Sequence, residues 1–273
     1  MTHQERFYPE SRFGGFTDVD GTIAFYTRAQ ALVSPSSVVL DIGCGRGAYA
    51  EDPVGIRREL RIFKGKVGRV IGIDVDPAAA GNPFLDEFRR LGGEEWPVPD
   101  SSIDVAVADC VLEHVADPPS FFANAHRVLR PGGALCLRTT NAWSYVALAA
   151  RLVPNRHHAH VTARVQERRK AEDVFPTLYR CNSVPKLRRM LERHGFEGVA
   201  YGYEAEPSYL EFSRFAYGIG VLHQRLAPRL FRPALFAFAR VCGGERGEDA
   251  SRGKTDVDDP NTPRHRLLGP DRI

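Results

Sequence analysis

No run of about 20 uncharged apolar residues occurs in the 273-residue chain, so no membrane-spanning helix is expected. The segment Met1 to Arg12 is polar and lacks the continuous apolar core of a secretory signal, which places the expected location in the cytoplasm. Cysteine is sparse and scattered: Cys44, Cys110, Cys136, Cys181 and Cys242 are an odd set without a Cys-x-x-Cys pair. That spacing argues against zinc or dithiol chemistry and fits free thiols in a reducing compartment, and no metal is expected. Excess charge is also scarce, with 37 Lys and Arg against 34 Asp and Glu for a net +3. A dedicated nucleic-acid binder concentrates more positive charge, so nucleic acid is not indicated. No internal repeat is visible. The 43% hydrophobic and 26% charged residues are ordinary globular usage, which excludes wholesale disorder. The length suits one large α/β domain.

From Ser34 to Thr140 short β-branched runs alternate with helical stretches, the pattern of a parallel sheet covered on both faces. Strands are expected at Val38 to Ile42, Val67 to Asp74, Ile103 to Ala108 and Ala134 to Arg138. Phe121, Phe122, Ala125, Val128 and Leu129 recur at helical spacing within Pro118 to Leu129, and Pro131-Gly132-Gly133 reads as the breaker. A further helix spans Ser183 to His194 and stops at Gly195. A last strand or strand pair is expected within Val199 to Glu204 and Ser208 to Phe212.

The segment Asp41-Ile42-Gly43-Cys44-Gly45-Arg46-Gly47 carries the chemistry. A strand ending in a carboxylate and running into alternating glycines bares main chain at the carboxyl edge of a parallel sheet, where such sheets bind ligands. Without Cβ atoms, Gly43, Gly45 and Gly47 can take positive φ and let a ligand touch the backbone. Asp41 suits a cationic ligand, and Asp74, at the end of the second strand, suits a pair of ribose hydroxyls. The loop also fits the dinucleotide fingerprint G-x-G-x-x-G/A, so a nicotinamide enzyme stays compatible. A pyrophosphate would find Asp41 repulsive, whereas a cation would not.

Five motifs in order add to this reading: Val39 to Gly47, Ile71-Gly72-Ile73-Asp74, Pro99 to Val105, Val111-Leu112-Glu113-His114-Val115, and Val128 to Gly133. Together they resemble the class I S-adenosylmethionine (SAM) dependent methyltransferases of the type 11, ubiquinone and menaquinone biosynthesis, superfamily. The resemblance implies a Rossmann-like, doubly wound, mostly parallel seven-stranded α/β sheet and SAM as cofactor. It implies that Asp41, Gly43, Cys44, Gly45 and Gly47 line the methionyl side. Asp74 and Val75 would meet the ribose, and the stretch from Asp109 and Cys110 to His114 would face the sulfonium. Departing from the family pattern, a glycine in Leu91-Gly92-Gly93 stands where an acidic residue often meets adenine, leaving Glu94 or Trp96 for that contact.

Methyl transfer is a displacement that needs alignment above all, so a base is optional and His114 is the candidate. The expected acceptor is a small molecule, a saccharide or a lipid-linked compound, methylated at oxygen. The alternatives are an NAD(P)-dependent oxidoreductase and a SAM-binding protein without turnover. Residues 1–33 read as a cap bringing Tyr8, Arg12 and Tyr26 over the site, and 34–242 as the catalytic domain. Within it, 141–182 is expected as a helical, basic lid holding His157, His158 and His160, and 243–273 reads as a disordered tail. Asp18-Val19-Asp20-Gly21-Thr22 matches the nucleophile loop of haloacid-dehalogenase-type phosphatases, but the glycine-broken run before it is a poor strand. Tyr209 to Val241 interleaves large apolar residues with arginines. It reads as packing surface, a homodimer contact or a peripheral membrane contact.

Overall fold

Short aliphatic runs become strands where both faces can be covered, and the intervening helices supply the covering stripes. The computed structural model describes residues 1–145, 147 and 176–242. Strands β1 (Val38–Ile42), β2 (Arg69–Asp74), β3 (Glu87–Arg90), β4 (Ile103–Asp109) and β5 (Leu129–Thr140) pair in parallel. Antiparallel β6 (Phe196–Tyr203) and β7 (Ala234–Val241) extend them at one side. Among the described residues they make one seven-stranded sheet of order β3-β2-β1-β4-β5-β7-β6. The strand order reverses between β1 and β4, the switch point at which open sheets of this kind bind ligands.

Six helices accompany the sheet among the described residues: α1 (His3–Phe7), α2 (Gly21–Gln30), α3 (Gly55–Arg61), α4 (Pro118–Val128), α5 (Val184–Arg193) and α6 (Arg214–Leu226). Successive strand side chains face opposite ways and so divide into two cores. Leu40, Ile42, Ala106, Ala108, Leu135 and Leu137 pack with Phe122, Ala125 and Val128 of α4 and with Leu187 and Leu191 of α5. Val39, Val105, Val107, Cys136 and Phe236 pack on the other face with Phe25, Tyr26 and Ala29 of α2. Each fully buried Leu or Phe is worth roughly 1.5–3 kcal/mol, so these two layers dominate the stability. Helix α4 begins where Asp117 accepts the Ser120 amide, with Pro118 in its first turn. Gly195, at φ +75°, follows the end of α5.

The sheet has the expected doubly wound, mostly parallel, seven-stranded form, with differences in detail. The second strand starts at Arg69, not Val67. The fourth expected strand is longer: β5 begins at Leu129, and Pro131-Gly132-Gly133 sits in a bulge between the Ile103–Leu129 and Val105–Ala134 pairs instead of ending anything. Strand β3, Glu-Phe-Arg-Arg, has no apolar run to betray it, and a short charged strand is what a sheet edge tolerates. The segment expected as a strand near Ser208 is a single helical turn, Ser208–Leu210. The partner of β6 is β7, which lay inside the stretch read as one amphipathic unit. That stretch divides into α6 and a buried strand, with Leu235, Phe236 and Ala237 wholly buried. The Asp18 to Thr22 motif is not a nucleophile loop. Asp20 caps α2, accepting the Thr22 and Ile23 amides at 2.9 Å each, and pairs with Arg57. Most of the expected lid, including His157, His158 and His160, and all of 243–273 lie outside the described residues.

Candidate cofactor-binding site

The turn after β1 is built from main chain. The Gly43 amide donates to the Ile73 carbonyl at 2.8 Å, so the loop continues the pairing of β1 with β2 before bending away. Gly43 has φ +67°, and a Cβ there would come within 2.5 Å of Val111 Cγ2. Gly45 has φ +52°, yet a Cβ there would meet nothing within 4 Å. Its backbone therefore faces open space that a ligand can fill. Asp74 Oδ2 accepts the Gly45 amide at 2.9 Å and Asp74 Oδ1 accepts the Asp76 amide at 2.9 Å, which ties the tip of β2 to the loop. Sequence reasoning missed the brace beneath: buried Asn82 donates to the carbonyls of Cys44 (3.0 Å) and Gly45 (3.2 Å). The Cys44 side chain is itself buried, its Sγ 2.8 Å from where a Gly72 Cβ would stand. Burial pushes its pKa up, so Cys44 contributes backbone rather than a reactive thiol. Val75, just past Asp74, is 54% exposed.

Three carboxylates, Asp41, Asp74 and Asp109, influence one another across the tips of β1, β2 and β4. Burial alone would raise the Asp109 pKa, but the charge and hydrogen bonds of Arg138, then Arg61 and Tyr26, hold it down at about 2. Arg138 grips Asp109 through Nε and Nη2, while Tyr26 of α2 donates to Asp109 Oδ2 at 3.0 Å. Asp41 has no such help and accepts no hydrogen bond from the described residues. Burial, followed by the charges of Asp109 and Asp74, lifts its pKa to about 7, with only Arg61 opposing. Arg61 of α3 lies over the rings of Tyr26 and Tyr49, 5.8 and 5.9 Å from their centroids. A half-buried carboxylate without a donor, next to open backbone, fits a ligand bearing positive charge and hydrogen-bond donors.

Beyond β4 the chain is strained and well tied. Cys110 has φ +58°, a conformation costing roughly 1–3 kcal/mol for a residue with a Cβ, and its amide donates to the Arg138 carbonyl at 2.8 Å. Glu113 is buried, accepting from Thr139 Oγ1 at 2.7 Å, while its carbonyl takes the amides of Leu178 and Tyr179. His114 Nδ1 lies 2.9 Å from the Pro176 carbonyl, which makes Nδ1 the protonated nitrogen and Nε2 the basic one. Trp96 is buried edge-on against Phe121 in the core. Asp41, Gly43, Gly45, Asp74 and Asp109 are thus assembled at one edge, and His114 follows on the next loop. Arg138 was legible in principle, because a charge in a buried strand needs a partner.

Comparison with known proteins gives the following. Residues 22–201 match the family model described as "Methyltransferase domain". A "Probable S-adenosylmethionine-dependent methyltransferase/" of Mycolicibacterium smegmatis is 37% identical over 108 residues, 38% of each chain. A ubiquinone biosynthesis O-methyltransferase of Rhizobium etli is 33% identical over 103 residues, 38% of this chain and 41% of that one. The chain thus spans about two fifths of the length of these relatives. The solved complex of the Haloferax volcanii Trm112 methyltransferase activator with a methyltransferase has the same fold, at TM-score 0.52 and 19% identity, covering 89% of this chain and 96% of that one.

A carboxyl raised in the folded state holds its proton more tightly there than in the unfolded chain, so stability falls as pH rises from the ordinary carboxyl range through about 7. Ligand-free protein is accordingly expected to melt at higher temperature at pH 5.5 than at pH 8. Asp41→Asn should flatten that difference and stabilise the protein at pH 8 by on the order of 2–4 kcal/mol, read by denaturant titration at both pH values. An unchanged pH dependence in the variant contradicts the assignment.

Proposed function

Because the chain belongs to the methyltransferase-domain family, whose model matches residues 22–201, we propose that it transfers the methyl group of SAM to a hydroxyl oxygen of a small-molecule, saccharide or lipid-linked acceptor. The observation that carries this reading is Asp41, a half-buried carboxylate with a raised pKa beside the open main chain of Gly45. When bound, SAM supplies an electrophilic methyl group on a positively charged sulfur.

The amides and carbonyls of Gly43 to Gly47 bind the methionyl part, with Cys44 offering backbone alone. Asp41 balances the positive charge there. Asp74 keeps lone pairs for the two ribose hydroxyls after accepting the Gly45 and Asp76 amides, and Val75 packs beside the sugar. Asp109 and Cys110, at the tip of β4, would line the side on which the methyl group is transferred. Asp109 acts there through Tyr26 and Arg138, which fix the orientation of α2 over the pocket. His114 Nε2 would take the proton that the acceptor hydroxyl loses as its oxygen bonds to the methyl carbon and the carbon–sulfur bond breaks, its electron pair staying on sulfur in the departing S-adenosylhomocysteine. The likeness to a ubiquinone biosynthesis O-methyltransferase supports oxygen as the acceptor atom.

A feature of α6 favours the lipid-linked case. Phe215, Ile219, Leu222 and Leu226 form one exposed stripe at helical spacing, and the helix carries Arg214 and Arg225 but no acidic residue. An apolar stripe flanked by positive charge suits an anionic bilayer surface.

Calorimetry is expected to show saturable SAM binding that weakens tenfold or more in Asp74→Ala. His114→Asn should keep SAM affinity while lowering kcat by 10²–10⁴-fold, as loss of a general base does. Unimpaired SAM binding by Asp74→Ala contradicts the ribose contact, and unchanged kcat in His114→Asn removes the base. Flotation with phosphatidylglycerol vesicles, but not phosphatidylcholine ones, should depend on Phe215 and Leu222. Retention by a Phe215→Ser, Leu222→Ser double variant, or a dimer lost in that variant by sedimentation, would replace the membrane reading.

A further inference from the structure

A second group of chemistry-bearing side chains lies at the same sheet edge and takes no part in the cofactor site. Thr140, the last residue of β5, and Tyr203, the last of β6, both pair with Ala234, so the carboxyl ends of these strands flank the start of β7. Glu204 follows directly. Around it gather Tyr8 from the turn after α1, Tyr145, and Tyr217 and His223 from α6. The Tyr145 and His223 rings are 4.8 Å apart edge-on, and His223 Nδ1 is 3.5 Å from Glu204 Oε2. Tyr8 and Tyr217 share one apolar cluster with Val221. Tyr8 and Tyr145 each sense the Glu204 charge, and Tyr217 senses Tyr8.

Three of these groups are buried and unsatisfied, and His223 is half-buried. Glu204 is 4% exposed, Tyr8 5% and Tyr217 1%. Yet among the described residues the hydroxyls of Tyr8 and Tyr217, both carboxylate oxygens of Glu204 and Nδ1 of His223 have no hydrogen-bond partner. Folded proteins rarely leave one such atom unpaired, and five in one place point to an interaction partner. The wall on the Tyr8 side is lightly held. Helix α1 buries none of its own residues and meets α6 through Phe7 against the Tyr217 ring, at 5.5 Å. A small movement of Tyr8 would open the cluster.

We propose that Tyr8, Glu204, Tyr217 and His223, with the Tyr145 ring, form a subsite that hydrogen-bonds the hydroxyls of a saccharide portion of the methyl acceptor. This rests on the methyl-transfer reading and narrows its substrate class. A hydroxyl both donates and accepts, matching a set that mixes carboxylate oxygens with phenols, and aromatic rings pack on the apolar face of a sugar. Ionic ligands fit less well. Burial lifts Glu204 to about 7 and lowers His223, so the pair does not hold a fixed charge at neutral pH, and Arg232 already opposes the Glu204 charge. The two sites share a frame. Arg57 joins Asp20, the cap of α2, to Glu206, two residues past Glu204, while Tyr26 farther along the same helix bonds Asp109.

The test uses the full chain saturated with S-adenosylhomocysteine and saturation-transfer NMR with methyl α-glucoside, α-mannoside and α-galactoside as probes. Choline serves as the cationic probe and inorganic phosphate as the anionic one. At least one glycoside should bind saturably, and Glu204→Gln, Tyr8→Phe and Tyr217→Phe should each weaken it fivefold or more. The tyrosine variants keep the ring and its packing, so they report the hydroxyl alone, and S-adenosylhomocysteine affinity should stay within twofold in all three. Glycoside binding indifferent to all three variants, no glycoside binding while S-adenosylhomocysteine binds, or Glu204-dependent binding of choline or phosphate instead overturns the saccharide subsite. Absent S-adenosylhomocysteine binding with glycoside binding still sensitive to Glu204 supports the subsite and overturns the methyl-transfer reading.

Discussion

Three carboxylates at the ends of adjacent strands place a demand on everything around them. Asp41, Asp74 and Asp109 stand at one partly dry edge, where burial and the charges of the other two raise the pKa of Asp41. Each meets the problem differently. Asp109 is clamped by Arg138 and Tyr26, and Asp74 gathers two backbone amides. Asp41 is left with a raised pKa and accepts no hydrogen bond from the described residues. Removing Arg138 would leave Asp109 without its main counter-charge, and breaking a buried pair from one side usually costs about 3–5 kcal/mol.

The surrounding architecture serves that edge. Asn82 holds the glycine turn from below, and the αL residue Cys110 turns the chain at the tip of β4. Helix α2 buries Phe25 and Tyr26 in the core, so its position is set by packing on one side and by the Asp109 bond on the other. At its start, Asp20 and Arg57 carry the connection on to Glu206. The carboxylate edge at Asp109 and the polar cluster at Glu204 are therefore tied to one helix. A change in α2 packing would be felt at both.

How much could be read in the sequence followed from how local each constraint is. Gly43, Gly45 and Gly47 announce themselves because the turn needs positive φ, and Asp41 and Asp74 sit at strand ends that alternation alone locates. The glycine turn by itself left a dinucleotide reading open, and the family match over 22–201 decides against it. Strand β7 stayed hidden because arginines at 225, 229 and 232 break up the approach to it and make the whole segment look like one amphipathic helix. Strand β3 lacked any apolar signal. Asn82 and the Tyr8, Glu204 and Tyr217 cluster were invisible for a different reason: their partners are tens to hundreds of residues away, and no spacing rule links them. Trp96, offered from sequence as an adenine contact, lies instead in the core against Phe121.

The most direct measurement is calorimetric titration with SAM of the native protein and of Asp41→Asn at pH 8, where Asp41 is ionised. The native protein should bind saturably and the variant at least tenfold more weakly, about 1.4 kcal/mol or more, because the variant lacks the charge that the sulfonium compound completes. Equal affinity in the two proteins, or no saturable binding by either, would contradict the account.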